Sequence, residues 1–200
     1  MPLIEKPLPG HANMVFKVVI SPESEPITAE EVRSLGRIET DAEDTLIETM
    51  ITAVREIAES WLGRAILEQT IEASFDYWPD NPVKLPRPPL ISVDSIVTVD
   101  EENQETLYSV DNYFFRTSSN QKGEVIIKNG AAAPTNTDRY YGGFKITYTA
   151  GYGDQVDDVP QGIKHGLMEW VLHAIENRTI SREPPEMAMP LLGAYRIRNI

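Results

Sequence analysis

Three histidines, His11, His165 and His173, and a large set of carboxylates are the groups in this 200-residue sequence that could hold a metal or move a proton. His165, Glu169 and His173 recur every four residues, a spacing that can set ligands along one side of a helix. Against the apolar stripe of Ile163, Leu167, Trp170, Val171 and Ala174, His165 and Glu169 fall on the opposite side and His173 on the flank. Those are the positions of solvated polar groups, so neither a metal nor a cofactor is expected. Gly151-Tyr152-Gly153 opens like a dinucleotide loop, but Val156 stands in the third glycine's place, and Asp154, Asp157 and Asp158 would repel a pyrophosphate. Asp76, beside Tyr77-Trp78, is the one carboxylate near enough to apolar groups for a raised pKa, although it lies on the polar face of its segment. There is no G-x-S-x-G elbow and no P-loop, and the absence of cysteine removes thiolate chemistry. The residues do not point to an enzyme. The rival readings are a small carboxylate-based hydrolase using Asp76 and a monomeric module holding a peptide or glycan on Tyr77, Trp78 and Tyr113.

The elements that would position these groups follow from periodicity. Thr28-Ala29-Glu30-Glu31 is a capping box with Ile27 and Val32 as its hydrophobic staple, which predicts a short helix to Leu35, stopped by Gly36. Thr40-Asp41-Ala42-Glu43 repeats the start signal, and apolar residues from Leu46 to Leu62 then keep helical spacing until Gly63. From Leu67 to Tyr77 the period switches to two, which predicts a strand with one dry face. Turn signals separate further strand candidates at Val83–Leu85, Val93–Val99, Tyr108–Phe115, Glu124–Lys128 and Phe144–Thr149. Helical spacing returns from Pro160 to Arg178. The expected fold is α+β: residues 27–64 and 158–180 form a small helical bundle, and 65–157 form an inserted antiparallel sandwich or barrel-like segment. Residues 1–26 form an extended N-terminal arm with one β-segment at Met14–Ile20, and 181–200 form a C-terminal tail.

Charge narrows the classes of partner. Thirty-one acids against 18 bases give −13, and such a surface repels phosphate, because nucleic-acid affinity comes mainly from Lys and Arg. Tight binding of DNA or RNA is not expected; DNA sliding past is compatible. No apolar run approaches the roughly 18 residues of a membrane span, and Met1 to Gly10 lacks the apolar stretch of a signal peptide. The 21–60 stretch carries −8 of the −13; within it Glu48, Glu56 and Glu59 mark a face that either is simply solvated or is held against something that must not stick. From Pro190 to Ile200 the character reverses, with Leu191, Leu192, Tyr195, Ile197 and Ile200 alongside Arg196 and Arg198 and no acid. Such a tail either folds back on its own core or docks into a partner. Met168, Leu172 and Ile175 give the late helix a second apolar flank, which suits either an enclosed helix or a subunit contact.

Several strings occur in an order shared with a known family. They run from Glu25-Pro26-Ile27-Thr28-Ala29-Glu30-Glu31-Val32 and Leu35-Gly36-Arg37-Ile38 to Glu59-Ser60-Trp61-Leu62-Gly63-Arg64 and Phe75-Asp76-Tyr77-Trp78-Pro79. Leu85-Pro86-Arg87-Pro88-Pro89-Leu90, Ile146 to Gly153, Val159-Pro160-Gln161-Gly162-Ile163-Lys164 and Leu191-Leu192-Gly193-Ala194-Tyr195-Arg196 complete the series. Over residues 22–198 the sequence resembles the head–tail connector (adaptor) proteins of tailed bacteriophages and gene transfer agents. The resemblance implies a structural virion protein, made in the host cytoplasm, that assembles as a ring of typically twelve copies at the neck. The portal protein would sit above it and a stopper or tail-completion protein below, with DNA passing through the channel without specific binding. It further implies that Leu191, Leu192, Tyr195 and Arg196 reach the portal or a neighbouring copy.

Overall fold

A computed structural model describes residues 14–117, 122–135 and 139–197. His11, Arg198, Ile200 and the first half of the N-terminal arm lie outside the described residues. The fold is α+β, and it is built around two clusters of buried side chains, one among helices and one between sheets.

Helix α1 (Ala29–Gly36) starts as its sequence dictates: the Thr28 hydroxyl accepts from the Glu31 N–H at 3.1 Å, and the Glu31 carboxylate accepts from the Thr28 N–H at 2.8 Å. Ile27 and Val32 are both buried as the staple. The helix ends at Gly36 as expected, but it is Arg37 that takes the left-handed conformation (φ 51°). Gly36 serves a close approach instead, since a Cβ there would stand 2.5 Å from Leu172 Cδ2. Helix α2 (Asp44–Leu62) buries Ile47, Ile51, Val54, Ala58 and Leu62 along one stripe and ends at Gly63 (φ 70°). No second capping box forms at its start. Thr40 accepts from the Ala42 N–H one turn too early, Glu43 occupies the cap position without a side-chain bond, and the Arg33–Asp44 ion pair at 2.8 Å ties the two helices there.

The strands are β1 (Met14–Ile20), β2 (Gln69–Phe75), β3 (Val83–Leu85), β4 (Leu90–Val99), β5 (Glu105–Leu107), β6 (Tyr113–Arg116), β7 (Gly123–Ile127) and β8 (Phe144–Ala150). They form two antiparallel sheets, ordered β1-β2-β8-β4-β5 and β3-β7-β6. Neither order closes into a barrel among the described residues. Period-two burial is strict in β2 and β8: Ile71, Ala73 and Phe75 face inward, opposite Tyr148, Ile146 and Phe144. Their buried faces share one core with Val83, Leu85 and Val125 of the smaller sheet. The β-segment of the arm is integral to the fold, because β1 pairs with β2 in the register Phe16↔Ala73. The expected Tyr108–Phe115 strand begins only at Tyr113, because Val110–Asn112 turns in a 3-10 helix capped by the Ser109 hydroxyl. No helix is long and apolar enough to cross a membrane among the described residues.

Helix α3 (Gln161–Asn177) packs against α2, and α1 flanks it. The tail also returns to it. Helix α4 (Met189–Gly193) places Leu192, fully buried, into the helical core, and it can approach because Gly166 presents no Cβ; one there would meet Leu192 Cγ at 2.7 Å. The Ile197 N–H donates to the Leu62 carbonyl at 2.8 Å and Arg64 donates to the Tyr195 carbonyl. Of the two fates open to the tail, residues 190–197 take the first and fold back on their own chain. Leu192 is therefore not a free docking side chain. Replacing it with Ala should lower unfolding free energy by about 2–5 kcal/mol, read from urea denaturation; a loosely held tail would leave the midpoint unchanged.

Candidate functional site

The three carboxylates expected on one acidic face separate. Glu48 and Glu56 are exposed on α2, whereas Glu59 is only 4% exposed. Helical spacing alone puts Glu59 at the margin of the buried stripe, and the chain that returns as β2 covers it. Its Oε1 accepts from the Ile66 N–H and from Gln69 Nε2, both at 2.8 Å, while Oε2 stands 3.5 Å from Arg55 Nη1 and 3.8 Å from Arg87 Nη1. Arg55 in turn donates to Glu25 at 2.7 Å. Burial pushes the Glu59 carboxyl above its usual range, opposed by the Ile66 N–H and the two arginines. Burial alone would lower the Arg55 guanidinium, but Glu25, Glu59 and Glu56 outweigh it and raise it. For Arg87 burial prevails and pulls it down. Glu59 is thus a joint between the helical and β parts, not part of a channel surface.

The residues of the rival readings are likewise placed in structural roles. Asp76 accepts from the Gly142 N–H at 2.9 Å, which ties the end of β2 to the loop before β8. Trp78 packs edge-on against Phe144, with 5.9 Å between ring centroids. Tyr113 is buried and stacks with Tyr108. Tyr113 belongs to the sheet core, and Tyr77 and Trp78 pack against it. His165 Nε2 lies 3.6 Å from Glu169, and among the described residues no trio of His, Asp or Glu gathers at ligand distance.

On the late helix, Met168, Leu172 and Ile175 are half-buried against the helical core. Leu172 sits over Gly36 of α1, so the chain itself covers part of this second flank. Leu191 on α4 and Tyr195 just after it are half-buried, and Arg196 is exposed.

A cleft that periodicity did not reveal opens at the C-terminal end of α2. About 390 Å³ in volume, it is lined by Met14 and Phe16 of β1, by Trp61, and by the cations Arg87, Lys122 and Arg196. The Arg196 guanidinium lies over the Trp61 ring, 4.4 Å from its centroid, while its Nε donates to the Trp61 carbonyl at 3.1 Å. Arg87 lies 5.5 Å from the centre of the Phe16 ring. Its members come from five distant parts of the sequence. The one local signal was the acid-free tail that carries Arg196.

The sequence matches the head completion protein family over residues 25–182, and the chain belongs to that family. The family is one of structural virion proteins, not enzymes. No curated protein matches. Solved structures share the fold, three of them from gene transfer agent particles. One, described as the virion of a native gene transfer agent particle, is 19% identical with a TM-score of 0.77. The neck of the empty particle with C6 symmetry gives 18% and 0.78, and the neck of the native particle with C12 symmetry gives 16% and 0.72. Each alignment covers 93% of this chain and 97% of the other.

The Glu59 joint can be tested directly. Glu59→Ala would leave Arg87 without its carboxylate, Arg55 with Glu25 but not Glu59, and the Ile66 N–H without its acceptor, and should cost about 3–5 kcal/mol, as removing one partner of a buried ion pair does. Glu59→Gln keeps an acceptor for the Ile66 N–H and should cost less. Equal midpoints for both variants and the parent in chemical denaturation would contradict the assignment.

Proposed function

We propose that this chain is the head–tail connector subunit of a phage or gene-transfer-agent particle, forming a ring at the neck between a portal and a stopper or tail-completion protein. Family membership supports a role in finishing the head. The observation that carries the reading is the near end-to-end correspondence with chains of particle necks, 93% of one against 97% of the other. The C12 symmetry of one such neck supports a ring of twelve copies. In such a ring, head-to-tail contacts join different patches of identical subunits. The exposed Glu48 and Glu56 suit a channel wall along which DNA slides, since each Lys or Arg there would add attraction to phosphate. Leu191, Tyr195 and Arg196, at the outside of the folded-back tail, and the half-buried flank of Met168 and Ile175 are the surfaces left for portal or neighbour contacts.

Particles assembled without this chain should be heads that carry no collar and no tail in electron micrographs; complete necks in its absence would overturn the proposal. Glu48→Lys combined with Glu56→Lys should slow DNA delivery at unchanged particle number, measured as transfer per particle, if this face lines the channel. Unaltered delivery would assign the face elsewhere.

A further inference from the structure

We infer that the cationic, aromatic cleft at the C-terminal end of α2 receives the acidic α1–α2 loop of the next copy, forming the head-to-tail contact of the ring. This rests on the connector reading and adds to it the surfaces that meet. The cleft gathers Arg87, Lys122 and Arg196 around Trp61 and Phe16 on a chain whose overall charge is −13. Among the described residues Lys122 has no ion pair, and the Arg196 guanidinium meets the Trp61 ring and carbonyl but no carboxylate. Guanidinium groups stacked on aromatic rings keep their outer N–H groups free to grip a carboxylate. The matching surface is the loop between α1 and α2, where Glu39, Asp41 and Glu43 are all exposed.

Their placement makes the contact intermolecular. The loop enters α2 at Asp44, and the cleft is lined by Ser60, Trp61 and Gly63 at the other end of the same 19-residue helix. A straight helix of that length separates its ends by about 27 Å, so loop and cleft of one copy cannot meet. A ring of about twelve turns each copy by only about 30° relative to the last, which requires complementary patches on nearly opposite sides of the subunit. The two ends of α2 supply such a pair. Repulsion among copies of charge −13 opposes association at long range, and this contact supplies local attraction of opposite sign.

The chain contains no cysteine, so a designed pair reports on this contact alone. Particles assembled with Asp41→Cys and Lys122→Cys in the same chain, treated with a short bis-maleimide, should give a ladder of covalent multimers on denaturing gels. Either single variant should give none. A collar visible in micrographs without a ladder would overturn the contact and leave the connector reading standing, whereas no collar in particles of the parent chain would overturn that reading itself. If the cysteine pair blocks assembly, charge exchange decides. Lys122→Glu alone and Glu39→Lys with Asp41→Lys alone should each lower the yield of collared particles at least tenfold, and combining them should restore it. Failure of the combination to restore yield would overturn the contact.

Discussion

The burial of Glu59 is the constraint around which the two halves of this molecule are arranged. A carboxylate removed from water is costly unless it is paired and fully hydrogen-bonded. Its partners come from three different places: Arg55 one turn back on α2, Ile66 and Gln69 at the entry to β2, and Arg87 in the connection between β3 and β4. Satisfying that one side chain fixes how the helical layer meets the sheets. It also places Arg87 where its guanidinium can serve both the interior and the cleft, with Glu59 on one side and the Phe16 ring on the other.

The parts of the fold legible in the sequence are those specified by neighbours within a few residues. The Thr28–Glu31 capping box, the stripe of α2 up to Gly63 and the alternation of β2 all follow from local spacing. Where the reading failed, a distant partner had replaced the local rule. Gly36 does end its helix, but not by making the left-handed turn, which falls to Arg37; its missing Cβ accommodates Leu172, more than a hundred residues away. Glu59 looked solvated because nothing adjacent shows that Arg87 will arrive beside it. The cleft was illegible for the same reason: Phe16, Trp61, Arg87, Lys122 and Arg196 meet only after both sheets and the tail have formed.

The acidic composition acquires a finer meaning once exposure is known. Much of the excess charge in the 21–60 stretch is either paired, as Glu25 and Asp44 are with arginines, or gathered at the start of α2 and along its outer face. Cations, by contrast, cluster at the opposite end of that helix. The molecule is electrically polarised along its longest helix, which net charge alone conceals. An identical unit with unlike poles suits assembly in one sense of rotation and resists face-to-face pairing.

The return of the tail carries a consequence for biosynthesis. The helical core is assembled from segments far apart in sequence: Ile27 to Leu67 must wait for Val159 to Val171, and both must wait for the final plug, Leu192. A ribosome therefore makes the entire β part before the wall of the helical layer is sealed, since contacts so remote in sequence form only after the intervening chain exists. Copies whose synthesis stops before Leu192 lack that seal, and the architecture thereby withholds a finished building block from them.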